Sequence, residues 1–251
     1  MKNIVLIGSG NVATHLGLSL VNNGYNIKQV WSKQLKNADI LAKKLDSTST
    51  DALNNLKNAD FYIVSVKDDA LESVIKQLNL NNIIHTSGSI GLEFFNEKSE
   101  NYGVFYPLQT FNKEINLNFS KTPICIEANN KLFESELLNI GNNLSDKVVT
   151  INSNQRKQLH IAAIFACNFT NHMFSLAYTI LAKSYIDFKL LLPLINQTII
   201  KLNKNNPSQM QTGPAKRKDK KVIQNHINNL SDKKTQEIYK LISNSIMEKN
   251  E

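Results

Sequence analysis

Apolar residues in the first half of the chain alternate between short continuous runs and helical spacing. The runs predict strands at residues 3–8, 25–32, 61–66, 83–87, 102–106, 124–127 and 147–151. Helical spacing between the early runs predicts helices at residues 11–23, 38–45, 52–56 and 68–78. Strands that alternate with helices in this way are typical of a parallel, doubly wound α/β sheet.

The pattern changes after Ile151. Residues 154–186 contain no glycine or proline and are rich in apolar side chains, which predicts one long, largely buried helix. Further helices are predicted at residues 188–203, 220–230 and 231–248, with a loop at 205–219. We therefore expect an α/β domain over residues 1–152 and an all-α domain over residues 153–251. An exposed apolar face on the long helix is most easily covered by a second subunit, so we expect a homodimer.

Composition excludes several classes of protein. The chain has 251 residues, of which 41% are hydrophobic, and this is globular composition. It contains no run of about 18 apolar residues that could span a membrane. The short apolar run at the N-terminus is followed by no cleavage site, so a cytoplasmic location is expected. Cys125 and Cys167 are isolated, and His, Asp and Glu show no ligand spacing, so neither a disulfide nor a metal site is expected.

The positive charge does not indicate nucleic-acid binding. Lys and Arg number 29 against 21 Asp and Glu, a net charge of +8, but only Arg156 and Arg217 are arginines. Abundant Lys and Asn are typical of a chain encoded by AT-rich DNA. The one dense basic cluster, residues 216–221, has no aromatic residue nearby. A nucleic-acid partner is therefore not expected, and a steep salt dependence of affinity would be its signature.

A glycine motif opens the first predicted helix directly after the first strand. Residues 8–13 read GSGNVA and fit the pattern G-x-G-x-x-A. Gly8 allows a tight turn, and Gly10 lets the backbone approach a pyrophosphate. The helix that starts at Asn11 and Val12 offers its N–H groups to the phosphates. The motif in this position predicts a Rossmann-like dinucleotide site, and the alternative is a tight turn that binds nothing.

The ends of three other predicted strands extend this site. The second strand ends at Ser32 and Lys33 without a carboxylate, which favours the 2′-phosphate of NADP(H) over NAD, although an ordinary solvated turn is the alternative. FAD is less favoured, because the chain is short. Ligands bind at the carboxyl ends of strands in such sheets, so Val66 should line the site, and Ser87 and Gly88 should lie near the nicotinamide.

Three titratable residues near these strand ends have simpler structural interpretations. Asp68 and Asp69 are more typical of helix caps than of catalytic acids. His85 lies within a strand and is more typical of a sheet or core histidine.

Several segments together resemble a known bacterial family. They are residues 4–13, 85–89 (HTSGS), 103–111 (GVFYPLQTF), 160–163 (HIAA), 168–169 (NF) and 212–219 (TGPAKRKD). The family joins a Rossmann-like domain to a C-terminal helical domain of unknown function, and its members are labelled NADP oxidoreductases of the deazaflavin-dependent type. The fold is related to those of pyrroline-5-carboxylate reductase, ketopantoate reductase and the β-hydroxyacid dehydrogenases. The resemblance implies NADP binding without naming a substrate.

The chain departs from the family pattern at two positions. Lys67 stands where members often have proline, and Lys218 stands where a glycine is usual in the turn near residue 217. The second departure predicts a different geometry for this turn. The Gly213-Pro214 turn, with Lys216 and Arg217, could approach an anionic group such as a substrate carboxylate or a cofactor phosphate, and the alternative is an exposed loop in a Lys-rich chain.

The resemblance also suggests where catalysis takes place. Related dehydrogenases carry a general acid/base and a substrate-orienting Asn on the long helix. His160 and Asn168 fall near one face of that helix at 3.6 residues per turn. His160 could donate or accept the proton and Asn168 could orient the substrate, with Lys157 a weaker candidate. The alternative is a polar network that holds two domains or two subunits together.

The sequence thus predicts an NADP(H)-dependent oxidoreductase. Hydride would pass between the nicotinamide and a small carbonyl or imine substrate. The alternative is a non-catalytic NADP(H)-binding sensor or regulatory protein.

Overall fold

The computed structural model describes residues 1–95, 99–203 and 206–249. The chain divides into two compact units, residues 1–168 and residues 169–251. The domain boundary that the sequence predicts between residues 152 and 153 stays a prediction. In the part of the chain that is described, no helix is long and apolar enough to cross a membrane.

The first unit is built on one sheet. Its strands are β1 Asn3–Ile7, β2 Asn26–Trp31, β3 Thr48–Thr50, β4 Phe61–Val64, β5 Ile83–His85, β6 Tyr102–Pro107, β7 Ile124–Ala128 and β8 Val148–Thr150. They lie in the order β3-β2-β1-β4-β5-β6-β7-β8. The strands β1 to β6 are all parallel, whereas β7 is antiparallel to β6 and parallel to β8. The predicted Rossmann-like α/β sheet is confirmed, with its last two strands reversed.

Helices cover both faces of this sheet. They are α1 Asn11–Asn22, α2 Leu35–Lys44, α3 Asp68–Lys76, α4 Lys131–Leu144 and α5 Ser153–Ala163. Ile4 and Leu6 of β1 pack with α1, α2 and α4 in one core, while Val5 and Ile7 pack with α3 in another. This division arises because successive side chains of a strand point to opposite faces. A sheet buried on both sides requires the continuous apolar strands that the sequence shows.

Two elements of the first unit were not predicted. The strand β3 has the sequence Thr-Ser-Thr, which contains no apolar run to reveal it. The helix α4 begins after Asn130, whose side chain accepts a hydrogen bond from the N–H of Phe133. The helix predicted at residues 52–56 is a single 3₁₀ turn, Leu53–Asn55.

In its described residues, the second unit contains helices and helical turns and no strand. The α-helices are α6 Thr170–Ala182, α7 Leu192–Leu202, α8 Lys220–Asn229 and α9 Lys233–Glu248, and a π-helical segment, Ile164–Phe169, leads from α5 into α6. The long predicted helix is therefore helical as far as Ala182. The expectation that it is largely buried is wrong, because Arg156 is the only buried residue of α5, the π segment and α6. Residue 205, the first of the predicted loop, and residue 204 before it lie outside the described residues.

His85, on the central strand β5, is a core residue as predicted. Its side chain is fully buried and stacks on Phe95 with ring centroids 5.4 Å apart. Its Nδ1 accepts a hydrogen bond from the N–H of Ser87 at 3.2 Å. Burial, with a smaller contribution from the charge of Arg156, lowers the pKa of His85 to about 4.

We predict that His85 makes the fold sensitive to acid. The pKa of His85 is about 4 in the folded chain and 6.5 in the unfolded chain, so the unfolded chain binds more protons between these values. The free energy of unfolding should therefore fall by about 2 kcal/mol more in the wild type than in His85→Asn between about pH 7.5 and pH 5. Asparagine keeps an acceptor for the N–H of Ser87. Urea unfolding of both proteins across this pH range measures the difference. If the free energies of unfolding of the wild type and His85→Asn fall in parallel, the prediction is wrong.

Candidate functional site

The turn between β1 and α1 is too tight for any side chain at its first glycine. Gly8 has a φ of +134°, and a Cβ built on it would lie 2.1 Å from the carbonyl oxygen of Ser65. Its N–H donates to the carbonyl oxygen of Trp31 at 2.8 Å, so the turn is held between the ends of β2 and β4. Since an L side chain fits neither this φ nor this space, the position requires glycine.

Gly10 is the N-cap of α1 and faces open space. A Cβ built on it would meet nothing within 4 Å. No side chain caps α1, and its first turn, which starts at Asn11 and Val12, holds no acidic residue. The N–H groups of that turn can therefore serve an anionic ligand such as a phosphate.

A cavity of about 760 Å³ opens at the carboxyl ends of β1, β2, β3 and β4. The predicted cofactor-binding residues that line it are Gly8, Gly10, Ser32, Lys33 and Val66. The loops after these strands, the first turn of α2 and one face of α3 along its whole length form its walls. Its volume is in the range of sites that bind small molecules and cofactors.

The end of the cavity next to β2 is polar. Ser9 donates a hydrogen bond from its Oγ to the Oγ of Ser32 at 2.9 Å, and Lys33 follows directly. Asp51 also lines this end, because β3 brings it beside β2. Asp51 was not singled out in the sequence analysis, since no pattern of apolar residues predicted a strand at β3. Trp31 lines the cavity too, although its side chain is only 7% exposed.

The side chain of Asn11 has a structural partner instead of facing the cavity. Its Nδ2 donates to the carbonyl oxygen of Phe111 at 3.0 Å, and its Oδ1 accepts from the N–H of Lys113 at 3.3 Å. These bonds tie the start of α1 to the loop after β6. Asn11 and its neighbour Val12, which does not line the cavity, can therefore offer a ligand their backbone N–H groups.

The end of β5 is joined to the wall of the cavity. Thr86 donates from its Oγ1 to the Oγ of Ser65, a cavity residue, at 3.0 Å. The next hydroxyl, that of Ser87, accepts from the N–H groups of Ser89 and Ile90, both at 3.1 Å. Ser87 thus closes the turn that contains Gly88, and neither residue lines the cavity itself.

Asp68 does not cap α3 as the sequence predicted. The helix begins at Asp68 with Lys67 as its N-cap, and no side chain caps it. The carboxylate of Asp68 instead accepts a hydrogen bond from the hydroxyl of Ser89. The loops after β4 and β5 are therefore held together at the carboxyl edge of the sheet.

Gly88, Tyr106 and His160 meet beside this loop. The hydroxyl of Tyr106, on β6, lies 2.9 Å from Nδ1 of His160, on α5. A Cβ on Gly88 would lie 2.7 Å from both His160 Nδ1 and Tyr106 Cζ. The structure thus brings two predicted site residues, Gly88 and His160, into one cluster. Tyr106 was not singled out, although it lies in one of the segments that carry the family resemblance.

Arg156 fixes the start of α5 on the sheet. Its guanidinium is fully buried, pairs with the carboxylate of Glu127 on β7 and donates to the carbonyl oxygen of Ile90 at 2.6 Å. The carboxylate of Glu127 also accepts from the N–H and the hydroxyl of Ser153, each at 2.8 Å. The sequence contained one indication of a special role for Arg156, because it is one of two arginines in a chain whose other cations are lysines.

The remaining candidates on the long helix are more exposed. Lys157 forms an ion pair with Glu93 at 3.1 Å. Asn168 is exposed and lies within the π segment Ile164–Phe169. The wider π turn rotates each residue by a smaller angle than an α turn, so a projection at 3.6 residues per turn does not give its orientation.

Two family models match the chain. Residues 3–87 match the family described as NADP oxidoreductase coenzyme F420-dependent, and residues 122–246 match the Domain of unknown function (DUF2520). A comparison with curated proteins finds no match.

Solved structures resemble the whole chain. A protein from Bacteroides fragilis, provisionally assigned as an NADP oxidoreductase, is 40% identical over 98% of both chains, with a TM-score of 0.91. The 1-pyrroline-5-carboxylate reductase of Streptococcus pyogenes is 14% identical, covers 99% of this chain and 98% of its own, and has a TM-score of 0.64. An imine reductase from Myxococcus stipitatus in complex with NADP⁺ is also 14% identical, over 98% of this chain and 92% of its own, with a TM-score of 0.66.

The two reductases, at 14% identity, show a shared fold only. The Bacteroides protein and the two family models carry the assignment, and they confirm the resemblance seen in the sequence. The chain belongs to the family of NADP oxidoreductases of the coenzyme F420-dependent type that carry a C-terminal DUF2520 domain.

Proposed function

We propose that this oxidoreductase transfers a hydride between NADP(H) and a small carbonyl or imine substrate that lies against His160. The observation that carries the proposal is the link between the 760 Å³ cavity and the cluster around Gly88. Ser65 lines the cavity and bonds to Thr86, two residues before Gly88, and Gly88 contacts His160. A dinucleotide that extends across the switch point of the sheet would reach this cluster with its nicotinamide.

Each part of the cofactor has a matching part of the site. The pyrophosphate fits the open N-terminus of α1 at Gly10, where the backbone can approach closely. The hydroxyl of Ser32 and the ammonium of Lys33 suit a 2′-phosphate. NADP supplies the hydride chemistry when it is bound, and the residues of this chain bind, orient and position the reacting groups.

The substrate class is supported by the chemistry of the cluster and by the similar folds. The solved structures with this fold include a reductase of 1-pyrroline-5-carboxylate and an imine reductase, both of which act on C=N bonds. Reduction of a C=O or C=N bond increases the negative charge on the oxygen or nitrogen. His160 offers a hydrogen-bonding group to that atom, and Asn168 is the candidate for orienting the rest of the substrate.

We also propose that the chain forms a homodimer through its second unit. No residue of α6 or α7 is buried in the single chain, although both helices are rich in apolar side chains. The exposed apolar residues of α6 and α7 include Tyr178, Ile180, Leu192, Leu194, Ile199, Ile200 and Leu202. A second copy of the chain can cover such a surface and remove its apolar area from water.

We predict that Lys33 sets the preference for NADPH. Trp31 is the only tryptophan and lines the cavity, so its fluorescence should be quenched as cofactor binds. Wild-type protein should bind NADPH more tightly than NADH. Lys33→Ala should weaken NADPH binding by about tenfold, roughly 1.4 kcal/mol, because the 2′-phosphate loses a cation, and should leave NADH binding unchanged.

Lys44→Ala, at the exposed end of α2, is the matched control and should change neither affinity. If Lys33→Ala lowers the affinity for NADPH and for NADH by the same factor, the predicted role of Lys33 is wrong. No quenching of Trp31 by either cofactor would contradict the cavity as the binding site.

We predict that His160 is needed for turnover and not for cofactor binding. NADPH oxidation should be followed with 1-pyrroline-5-carboxylate, other cyclic imines and small 2-keto acids as substrates. His160→Gln should lower kcat by about 100-fold, as is typical when a positioned proton-bearing group is lost, and leave the NADPH affinity unchanged. Asn168→Ala should raise KM for the substrate more than it lowers kcat.

Lys157→Ala provides the control one turn earlier on α5, because its side chain pairs with Glu93 at the surface. Its kinetics should match the wild type. Tight NADPH binding without turnover of any substrate in the panel would contradict catalysis and favour a cofactor sensor.

We predict that introducing charge on α7 separates the dimer. Sedimentation should give twice the chain mass for the wild type. Leu194→Asp, on a side chain that is 65% exposed in the single chain, should shift the equilibrium toward monomer, because a buried carboxylate without a partner is costly. Leu132→Asp, at an exposed leucine of α4, is the control and should remain dimeric. A monomeric wild type would contradict the proposal.

A further inference from the structure

The contact between Tyr106 and His160 is more than close packing. The phenol oxygen and His160 Nδ1 are 2.9 Å apart, which is hydrogen-bonding distance. The two rings meet edge to face, with centroids 5.9 Å apart and planes at 76°. Gly88 leaves room for both rings, since a Cβ there would lie 2.7 Å from each of them. The pair therefore has one well-defined geometry beside the loop that follows β5.

The burial of the phenol favours Tyr106 as the donor of this hydrogen bond. Tyr106 is 9% exposed, and its burial, together with the charges of Cys125 and Asp68, raises the pKa of its hydroxyl to about 12. The phenol therefore keeps its hydrogen at neutral pH. Among the described residues, Nδ1 of His160 is the acceptor within reach of that hydrogen. A neutral imidazole that accepts at Nδ1 must carry its own hydrogen on Nε2.

Arg156 gives the ring of His160 a second constraint. Arg156 lies four residues earlier on α5 and is held by Glu127 and by the carbonyl oxygen of Ile90. The helix cannot slide along the sheet without breaking these bonds. Within the described part of the chain, no group hydrogen-bonds to Nε2 of His160, the nitrogen on the far side of the ring from Tyr106.

We propose that Tyr106 is a positioning residue that donates to Nδ1 of His160 and so fixes its Nε2–H tautomer for the reaction. In this arrangement His160 acts as a hydrogen-bond donor through Nε2–H. Its target is the substrate oxygen or nitrogen on which negative charge develops as the hydride reaches the adjacent carbon. The proton that this atom takes up to complete the reduction comes from solvent water. The inference rests on the proposed function, and it narrows the role of His160 from acid or base to donor.

The chain contains a second pair that serves as a matched control. His226 Nδ1 and the hydroxyl of Tyr239 lie 2.7 Å apart, and their rings are 5.8 Å apart at 81°. This pair joins α8 to α9 in the second unit and has almost the same geometry. Tyr239→Phe therefore removes the same hydroxyl from the same kind of contact without touching the cluster at Gly88.

The tautomer of His160 can be measured in the complete protein without a substrate. Protein labelled with ¹⁵N-histidine is examined by long-range ¹H–¹⁵N correlation, and the His160 signals are assigned by their loss in His160→Gln. We expect Nε2 to carry the hydrogen and Nδ1 to show the shift of a hydrogen-bonded acceptor. In Tyr106→Phe, the Nδ1 signal should move toward that of an unbonded acceptor nitrogen, while in Tyr239→Phe the His160 signals should not move. Hydrogen on Nδ1 in the wild type, or unchanged His160 signals in Tyr106→Phe, would overturn the proposal.

Kinetics with the substrate panel provide the second measurement. Tyr106→Phe should lower kcat by about tenfold and leave NADPH binding unchanged, as judged by Trp31 fluorescence, whereas Tyr239→Phe should match the wild type. Wild-type kcat in Tyr106→Phe would overturn the positioning role. If the wild type turns over no substrate, the proposed function fails, and the ¹⁵N spectra decide the assignment of Tyr106 on their own.

Discussion

The buried ion pair between Arg156 and Glu127 determines where the candidate catalytic side chain lies. A guanidinium fully removed from water is costly unless its charge and its hydrogens find partners. Glu127, the carbonyl oxygen of Ile90 and the hydroxyl of Ser153 are partners of its two terminal nitrogens, whereas Nε is buried without a hydrogen-bond partner among the described residues. These partners lie on β7, on the loop after β5 and on α5 itself. The pair therefore joins three separate parts of the chain, and removing Glu127 would leave the guanidinium buried without a counter-charge.

The reversed strand β7 makes this arrangement possible. Because β7 is antiparallel to β6, Glu127 lies opposite Val104, two residues before Tyr106 on β6. Two residues of strand span about 6.6 Å, and the four helical residues from Arg156 to His160 span about 6 Å. Anchoring Arg156 at the level of Glu127 therefore brings His160 to the level of Tyr106. The parallel strands form the candidate cofactor cavity, and the reversed strand holds the start of the helix that carries His160.

Local features were predictable from the sequence, and contacts between distant segments were not. The turn at Gly8 could be predicted because its strand, glycines and helix are contiguous, and its φ and its contact with Ser65 agree with that interpretation. Tyr106 and His160 are 54 residues apart in sequence, and no periodicity relates β6 to α5. Asp51 was missed for a different reason, since β3 is too short and too polar to show a strand pattern.

The two candidates on the long helix differ in how firmly the fold holds them. His160 is fixed by Tyr106 on one side and, one turn earlier, by the network of Arg156. Asn168 is exposed and is the last residue of the first compact unit. The π segment that contains it changes the rotation of the helix, so its orientation follows from local backbone geometry and not from 3.6-residue spacing. A group that must meet a developing charge benefits from a rigid position, because no reorganisation is then needed during the reaction. His160 meets that requirement within the first unit alone, which makes it the stronger candidate for contact with the reacting atoms, and Asn168 stays a candidate for orienting the substrate.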